Sequence, residues 1–169
     1  QHVTFTSTPK NISPLNKIDY SYINDTDGFN FEAKNSLVRD FSPLQNIPIF
    51  NEVMVNAVPL ERILPYISGK QVNKLYLTGS DIRAINQLSS IQDIRMLDLT
   101  GSFDLTSIDG IENHTDLTEV NLYECLELTD LTPLLQLPNL ERLILGPDME
   151  NLAAEQLAGA NFEIIYQEG

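Results

Sequence analysis

The sequence predicts an α/β repeat solenoid, with one parallel sheet lining the inside of a curved coil and short helices or turns outside. Three observations lead there. Apolar residues recur every 22–23 residues over most of the 169-residue chain. Within each recurrence two of them stand two apart, as in Leu75/Leu77 and Leu97/Leu99, which is the period of an extended strand facing one way. No single unit can bury such a row alone. Each fully buried side chain is worth about 1.5–3 kcal/mol, so successive units must stack.

Taken in order, residues 1–49 read as an irregular N-terminal cap and first repeats. Val3 with Phe5 and then Phe29 with Phe31 hold the strand positions of the first two copies. Between them Asn24-Asp25-Thr26-Asp27-Gly28 reads as a solvated turn, in a hairpin joining Tyr20–Ile23 to Phe29–Glu32. As a calcium loop it fails, because that register puts Ile23 first and Lys34 twelfth, where carboxylates are needed.

Residues 50–160 hold regular repeats that start at Phe50, Val72, Ile94, Leu117 and Leu140. Leu60–Ile67 has helical spacing, with Gly69 as its stop. Asp148 followed by Met149, Leu152, Ala153 and Leu157 reads as a capped helix ending at Gly159. Between Leu105 and Leu137 the Pro and Thr content argues for tight turns instead. Residues 161–169 form a half-repeat, restarting at Phe162 with Ile165. The expected strands centre near Phe31, Val55, Leu77, Leu99, Leu122 and Leu145, and the whole of 1–169 is one domain.

The L-x-x-L-x-L opening of each unit resembles the leucine-rich repeat. Val38-Arg39-Asp40-Phe41-Ser42-Pro43-Leu44-Gln45-Asn46-Ile47-Pro48 lines up with Leu128-Thr129-Asp130-Leu131-Thr132-Pro133-Leu134-Leu135-Gln136-Leu137-Pro138. Ile12-Ser13-Pro14-Leu15 is a shorter echo. These phrases and the 22-residue spacing are similar to the short repeats of bacterial internalin-like proteins. The resemblance implies a protein-binding scaffold, secreted or at the cell surface, with a cytoplasmic location as the alternative. It names no reaction.

In that repeat the eighth residue after each start is Asn or Cys, bonding loop backbone. Here the series is Val58, Ser80, Ser102, Cys125 and Asp148. Cys125 fits, the two Ser can substitute, and Val58 cannot. With no basic neighbour to lower its pKa, Cys125 is expected to be a buried, unreactive thiol.

Composition excludes other classes. A net charge of −14, from 24 acidic against 10 basic residues, disfavours nucleic acid and anionic membrane as partners. One Cys and two His leave no disulfide and little for a zinc site. His114, in Glu112-Asn113-His114-Thr115, lacks the neighbours that would make it catalytic. Three glycosylation sequons, at Asn11, Asn24 and Asn113, are formal only. No apolar run approaches the roughly 18 residues needed to span a bilayer. The chain opens on Gln rather than Met, without a leader-like run, and reads as a processed or trimmed product. No enzyme motif, cofactor site or small-molecule substrate is evident.

What remains is the concave face of the sheet. Aligning the units puts Glu52, Met54 and Asn56 in one rank, followed by Lys74, Tyr76 and Thr78, then Met96, Asp98 and Thr100. Glu119, Asn121 and Tyr123 come next, then Arg142, Ile144 and Gly146, with Ile164 and Tyr166 closing the series. Met54, Tyr76, Met96, Tyr123 and Ile144 supply apolar groups, and Lys74, Asp98, Glu119 and Asn121 supply polar ones. Such a patch suits a protein ligand. Tyr76, Met96 and Tyr123 are expected to anchor it, with Gln87 and Glu112 as neutral positions outside. The alternative is a structural spacer or cap, or an accessory domain of a larger surface protein or enzyme.

Overall fold

The structure, a computed structural model, describes residues 2–4, 11–21, 23, 28–33 and 38–169. Among these residues eight strands form one open sheet in chain order, and every pairing is parallel. They are β1 (His2–Thr4), β2 (Phe29–Ala33), β3 (Ile49–Asn56), β4 (Gln71–Thr78), β5 (Met96–Asp98), β6 (Glu119–Asn121), β7 (Arg142–Leu145) and β8 (Glu163–Tyr166). Parallel neighbours require a crossover, and here each return passes outside the sheet through a short helix or turn.

Phe31, Val53, Leu75, Leu97, Val120 and Leu143 stand side by side in register, and all are fully buried. This ladder is the repeat seen in the sequence. It continues through Ile164, only 21 residues after Leu143. Because strand faces alternate, that one-residue shortening turns β8 over relative to the expected alignment. Ile164 packs toward the core and Ile165 pairs with the outward Ile144. Tyr166 pairs with the inward Leu145, not with the outward rank.

Both edges of β2 are occupied, by β1 and β3, so the expected hairpin with Tyr20–Ile23 has no edge to use. Residues 24–27 and Phe5 lie outside the described residues. Gly28 is buried at the start of β2, where a Cβ would sit 2.5 Å from the Asn51 nitrogen. Its role is close approach to β3.

On the return side α1 spans Leu60–Ile67 and buries Leu60, Ile63 and Ile67 at helical spacing. Its cap comes from the next coil, where Asp81 Oδ1 accepts the Leu60 N–H at 2.7 Å. The repeated Ser/Thr-Pro-Leu phrases build the same 3-10 turn three times, at Ser13–Lys17, Ser42–Asn46 and Thr132–Gln136. In each, Asn11, Asp40 or Asp130 accepts the N–H two residues on, at 2.8, 2.8 and 2.9 Å. The Ser42 and Thr132 hydroxyls, and then these N–H groups, hold the Asp40 and Asp130 carboxyls below the usual range. A third element, α2 (Glu150–Gln156), follows a 3-10 turn at Pro147–Met149, so Asp148 lies inside that turn and does not cap the helix.

Long side chains stitch each coil to the one before. Lys70 Nζ donates to the carbonyls of Leu44, Gln45 and Ile47 at 2.9, 3.0 and 2.7 Å, where the preceding turn ends. Burial pulls its ammonium down to about 8, while the three carbonyls favour keeping the proton. Gln156 holds the Leu131 N–H and the Thr129 carbonyl in the same way, and Arg62 donates to the Val38 carbonyl.

Candidate functional site

Since the buried ladder points one way, the residues flanking it point the other. The register aligns them in rows across the strands. One row runs Glu52, Lys74, Met96, Glu119, Arg142, Glu163, and the next runs Met54, Tyr76, Asp98, Asn121, Ile144, Ile165. Asn56 and Thr78 pair in a third row, which Thr100 and Tyr123 continue beyond the strand ends.

All nine candidate residues therefore occupy the exposed face, but not as one patch. Tyr76 Oη donates to Met96 Sδ at 3.0 Å, which joins neighbouring strands diagonally, and Met54 pairs with Tyr76. Burial, and then the charges of Glu52, Asp98 and Glu119, push the Tyr76 phenol above its ordinary value. It stays a hydrogen-bond donor at neutral pH. Tyr123 lies two rows from Met96, roughly 13 Å along the strand at 3.3 Å per residue. Its ring faces the neighbouring coil, 3.7 Å from where a Cβ on Gly146 would sit, and its hydroxyl is 2.9 Å from such a point on Gly169. One extended partner segment lying along a single row cannot touch all three expected anchors.

The polar members between them are already engaged. Asp98 Oδ1 accepts the Thr100 N–H at 2.8 Å, and Asn121 Oδ1 accepts the Tyr123 N–H at 2.9 Å. These side-chain turns end β5 and β6 early and leave Leu99 and Leu122 just past the strands they were expected to centre. Arg142 Nη1 meets Glu119 Oε2 at 2.8 Å and its Nε stands 3.9 Å from Glu163. Lys74, Met96 and Glu119 line an open groove of about 290 Å³ together with Asn51, Asn73, Arg95 and Thr118. A larger depression, about 430 Å³, lies off the face between Arg95 and Glu141. Arg95 lines both, and no spacing pattern in the sequence singles it out.

The eighth-residue series is a buried row along the loops. Val58, Ser80, Ser102 and Cys125 are buried, Ser80 and Ser102 share a hydroxyl contact at 3.2 Å, and the Cys125 thiol donates to the Leu99 carbonyl at 3.2 Å. Burial pushes that thiol up to about 12. Asp148 does not belong to the row. In its coil the turn bond runs from Met149 N to Gly146 O, one residue later than Cys125 N to Leu122 O, so Met149 is buried and Asp148 is exposed.

His114 is buried with Nε2 unpartnered, and burial lowers its pKa while Glu112 partly opposes that. Gln87 and Glu112 are not idle surface residues. Gln87 accepts the Arg83 and Ala84 N–H groups, and Glu112 accepts that of Gly110. Among the described residues, no group of three or more His, Cys, Asp or Glu could hold a metal ion. No helix there is long and apolar enough to cross a membrane.

Two exposed apolar side chains, Phe103 and Leu126, stand on the strand-exit loops, away from the expected face. Their signal in the sequence is that both fall between the apolar ladder positions. No protein-family model matches the chain, and no curated protein matches it either.

Proposed function

We propose that the chain is a leucine-rich repeat module of the internalin-like kind that binds a protein through the exposed, concave face of its sheet, without catalysis. The observation that carries this reading is the Met54–Tyr76–Met96 group. Three large, polarisable side chains sit half-exposed on adjacent strands, held by a fully buried ladder beneath. Rigid aromatic and Met groups of this kind make binding anchors. The carboxylates of Glu52, Asp98 and Glu119 around Tyr76 favour a ligand that brings donors or positive charge. A secreted or surface location belongs to the same reading.

A structural spacer is the second reading, favoured by the internal pairing of Asp98 with Asn121 and of Arg142 with Glu119. Binding curves with a captured ligand separate the two. Tyr76→Ala and Met96→Ala should each weaken binding by roughly 1–3 kcal/mol, and Tyr123→Ala should weaken it less, while Glu155→Ala changes nothing. Equal losses at Glu155 and Tyr76 would leave the spacer.

A further inference from the structure

The charge of this chain is not spread along the coil. Residues 1–95 hold nine acidic and nine basic residues, whereas residues 96–169 hold 15 acidic residues and a single cation, Arg142. The first coils are neutral and the last coils carry the whole −14.

On that acidic half, Phe103 is 58% and Leu126 is 56% exposed, the two most exposed large apolar side chains among the described residues. They are equivalent positions on neighbouring coils, each directly after the buried Ser102 or Cys125. The two coils still touch just before these positions, where the Gly101 N–H donates to the Tyr123 carbonyl at 2.9 Å, so both residues follow a spacing of about 4.8 Å. Asp104 and Glu127 follow them directly, both exposed.

A strained residue adds an independent observation. Four coils turn through the left-handed region at the same place, at Ala57 (φ 52), Gly79 (φ 61), Gly101 (φ 67) and Glu124 (φ 60). Glycine does this freely, whereas a side chain there is strained. At Glu124 the side chain reaches the neighbouring coil. Its Oε2 lies 3.7 Å, and the Phe103 ring edge 3.8 Å, from the point a Cβ on Gly101 would occupy. A carboxylate and an exposed aromatic edge thus both border one glycine.

We propose that this strand-exit edge, centred on Phe103, Glu124 and Leu126, docks a cationic segment of another protein that carries apolar side chains between its Lys or Arg residues. The apolar groups would seat on Phe103 and Leu126, and the cations would face Glu124, Asp104 and Glu127. A nucleic acid or anionic membrane is repelled here, and a second copy of the same edge would oppose like charges. In an extended segment, side chains two apart share a face at about 6.6 Å, against about 4.8 Å between neighbouring coils, a difference that Lys, Arg and Leu side chains can span. The edge is separate from the Tyr76 face, so either reading can fail alone.

The test uses a short synthetic peptide alternating Lys and Leu, with a Lys–Ser peptide of equal charge as control, and reads affinity by fluorescence anisotropy at about 0.15 M salt. The Lys–Leu peptide should bind at least roughly tenfold more tightly than Lys–Ser. Phe103→Ser and Leu126→Ser should each lose about tenfold while melting like the parent. Glu124→Gly should bind several-fold more weakly yet melt higher, which a merely structural residue would not do, and Glu155→Ala, an exposed carboxylate on the return side of the same acidic half, should bind as the parent does. Unchanged affinity in the Phe103 and Leu126 variants, or equal binding of both peptides, would overturn the proposal. So would self-association of the parent that Phe103→Ser abolishes.

Discussion

Asn121 Nδ2 donates to Asp98 Oδ2 at 3.2 Å, tying β6 to β5 through side chains on the exposed face. Asp98 uses its other oxygen on the Thr100 N–H, so one carboxylate both ends its strand and braces the next. Asp98→Ala should therefore cost about 1–2 kcal/mol in urea unfolding. A double-mutant cycle with Asn121→Ala should show coupling of at least about 0.5 kcal/mol. Strict additivity would mean that the two side chains act as independent solvated groups.

The left-handed positions predict a gain in stability. Ala57→Gly and Glu124→Gly should each stabilise by about 0.5–1 kcal/mol, because relief of the turn outweighs the extra freedom glycine gives the unfolded chain. Thermal melts of the two variants measure this. A lower melting temperature in both would mean that the turns are unstrained.

Cys125 has its thiol on the Leu99 carbonyl and its ionisation pushed up to about 12. A thiol reagent should leave the native protein unlabelled near pH 8 and label it in denaturant. Cys125→Ser should lose less than Cys125→Asp, since a buried carboxylate there meets a carbonyl and not a donor. Rapid native labelling would contradict this burial.

His114 makes stability depend on pH. Its native pKa lies below the ordinary 6.5, so between the two values the unfolded chain binds more protons than the native one. The contribution of His114 is complete above about 6.5 and falls as pH drops through the native pKa. Compared with a His114→Gln variant, the parent should lose stability progressively from pH 7 to pH 5. A difference between the two proteins that stays constant over that range would show that His114 titrates alike in both states.

Much of this fold is readable in the sequence because its ladder is long and uniform. Leu60, Ile63 and Ile67 announce α1 by spacing alone, and the Ser/Thr-Pro-Leu phrases mark three equivalent turns. The shortness of β5 and β6 is not readable that way, since Asp98 and Asn121 look like any outward polar residue until their oxygens are seen on backbone N–H groups. The reversed face of β8 hides in a single missing residue between Leu143 and Ile164. The clustering of acidic charge beyond Arg95 is plain in the letters, but a whole-chain tally averages it away. As for the binding face, the strand alternation identifies which side chains share a surface. It does not say which of them touch, because diagonal distances across rows depend on register and side-chain direction.

The side-chain stitches that run one coil back have a mechanical consequence. Each strand pairs only with its sequence neighbours, and Lys70, Gln156 and Asp81 bind the same two-coil units. Tension applied across the molecule is therefore borne in series, by one interface after another. Pulled from its ends, the chain should release length in instalments of about 75 Å, the extended span of one repeat at 3.3–3.6 Å per residue. The coil fastened by Lys70 should hold to a higher force than those joined by fewer side-chain bonds. In this fold a lysine that reaches three carbonyls is a rivet, and the molecule is a chain of links whose strengths are set one at a time.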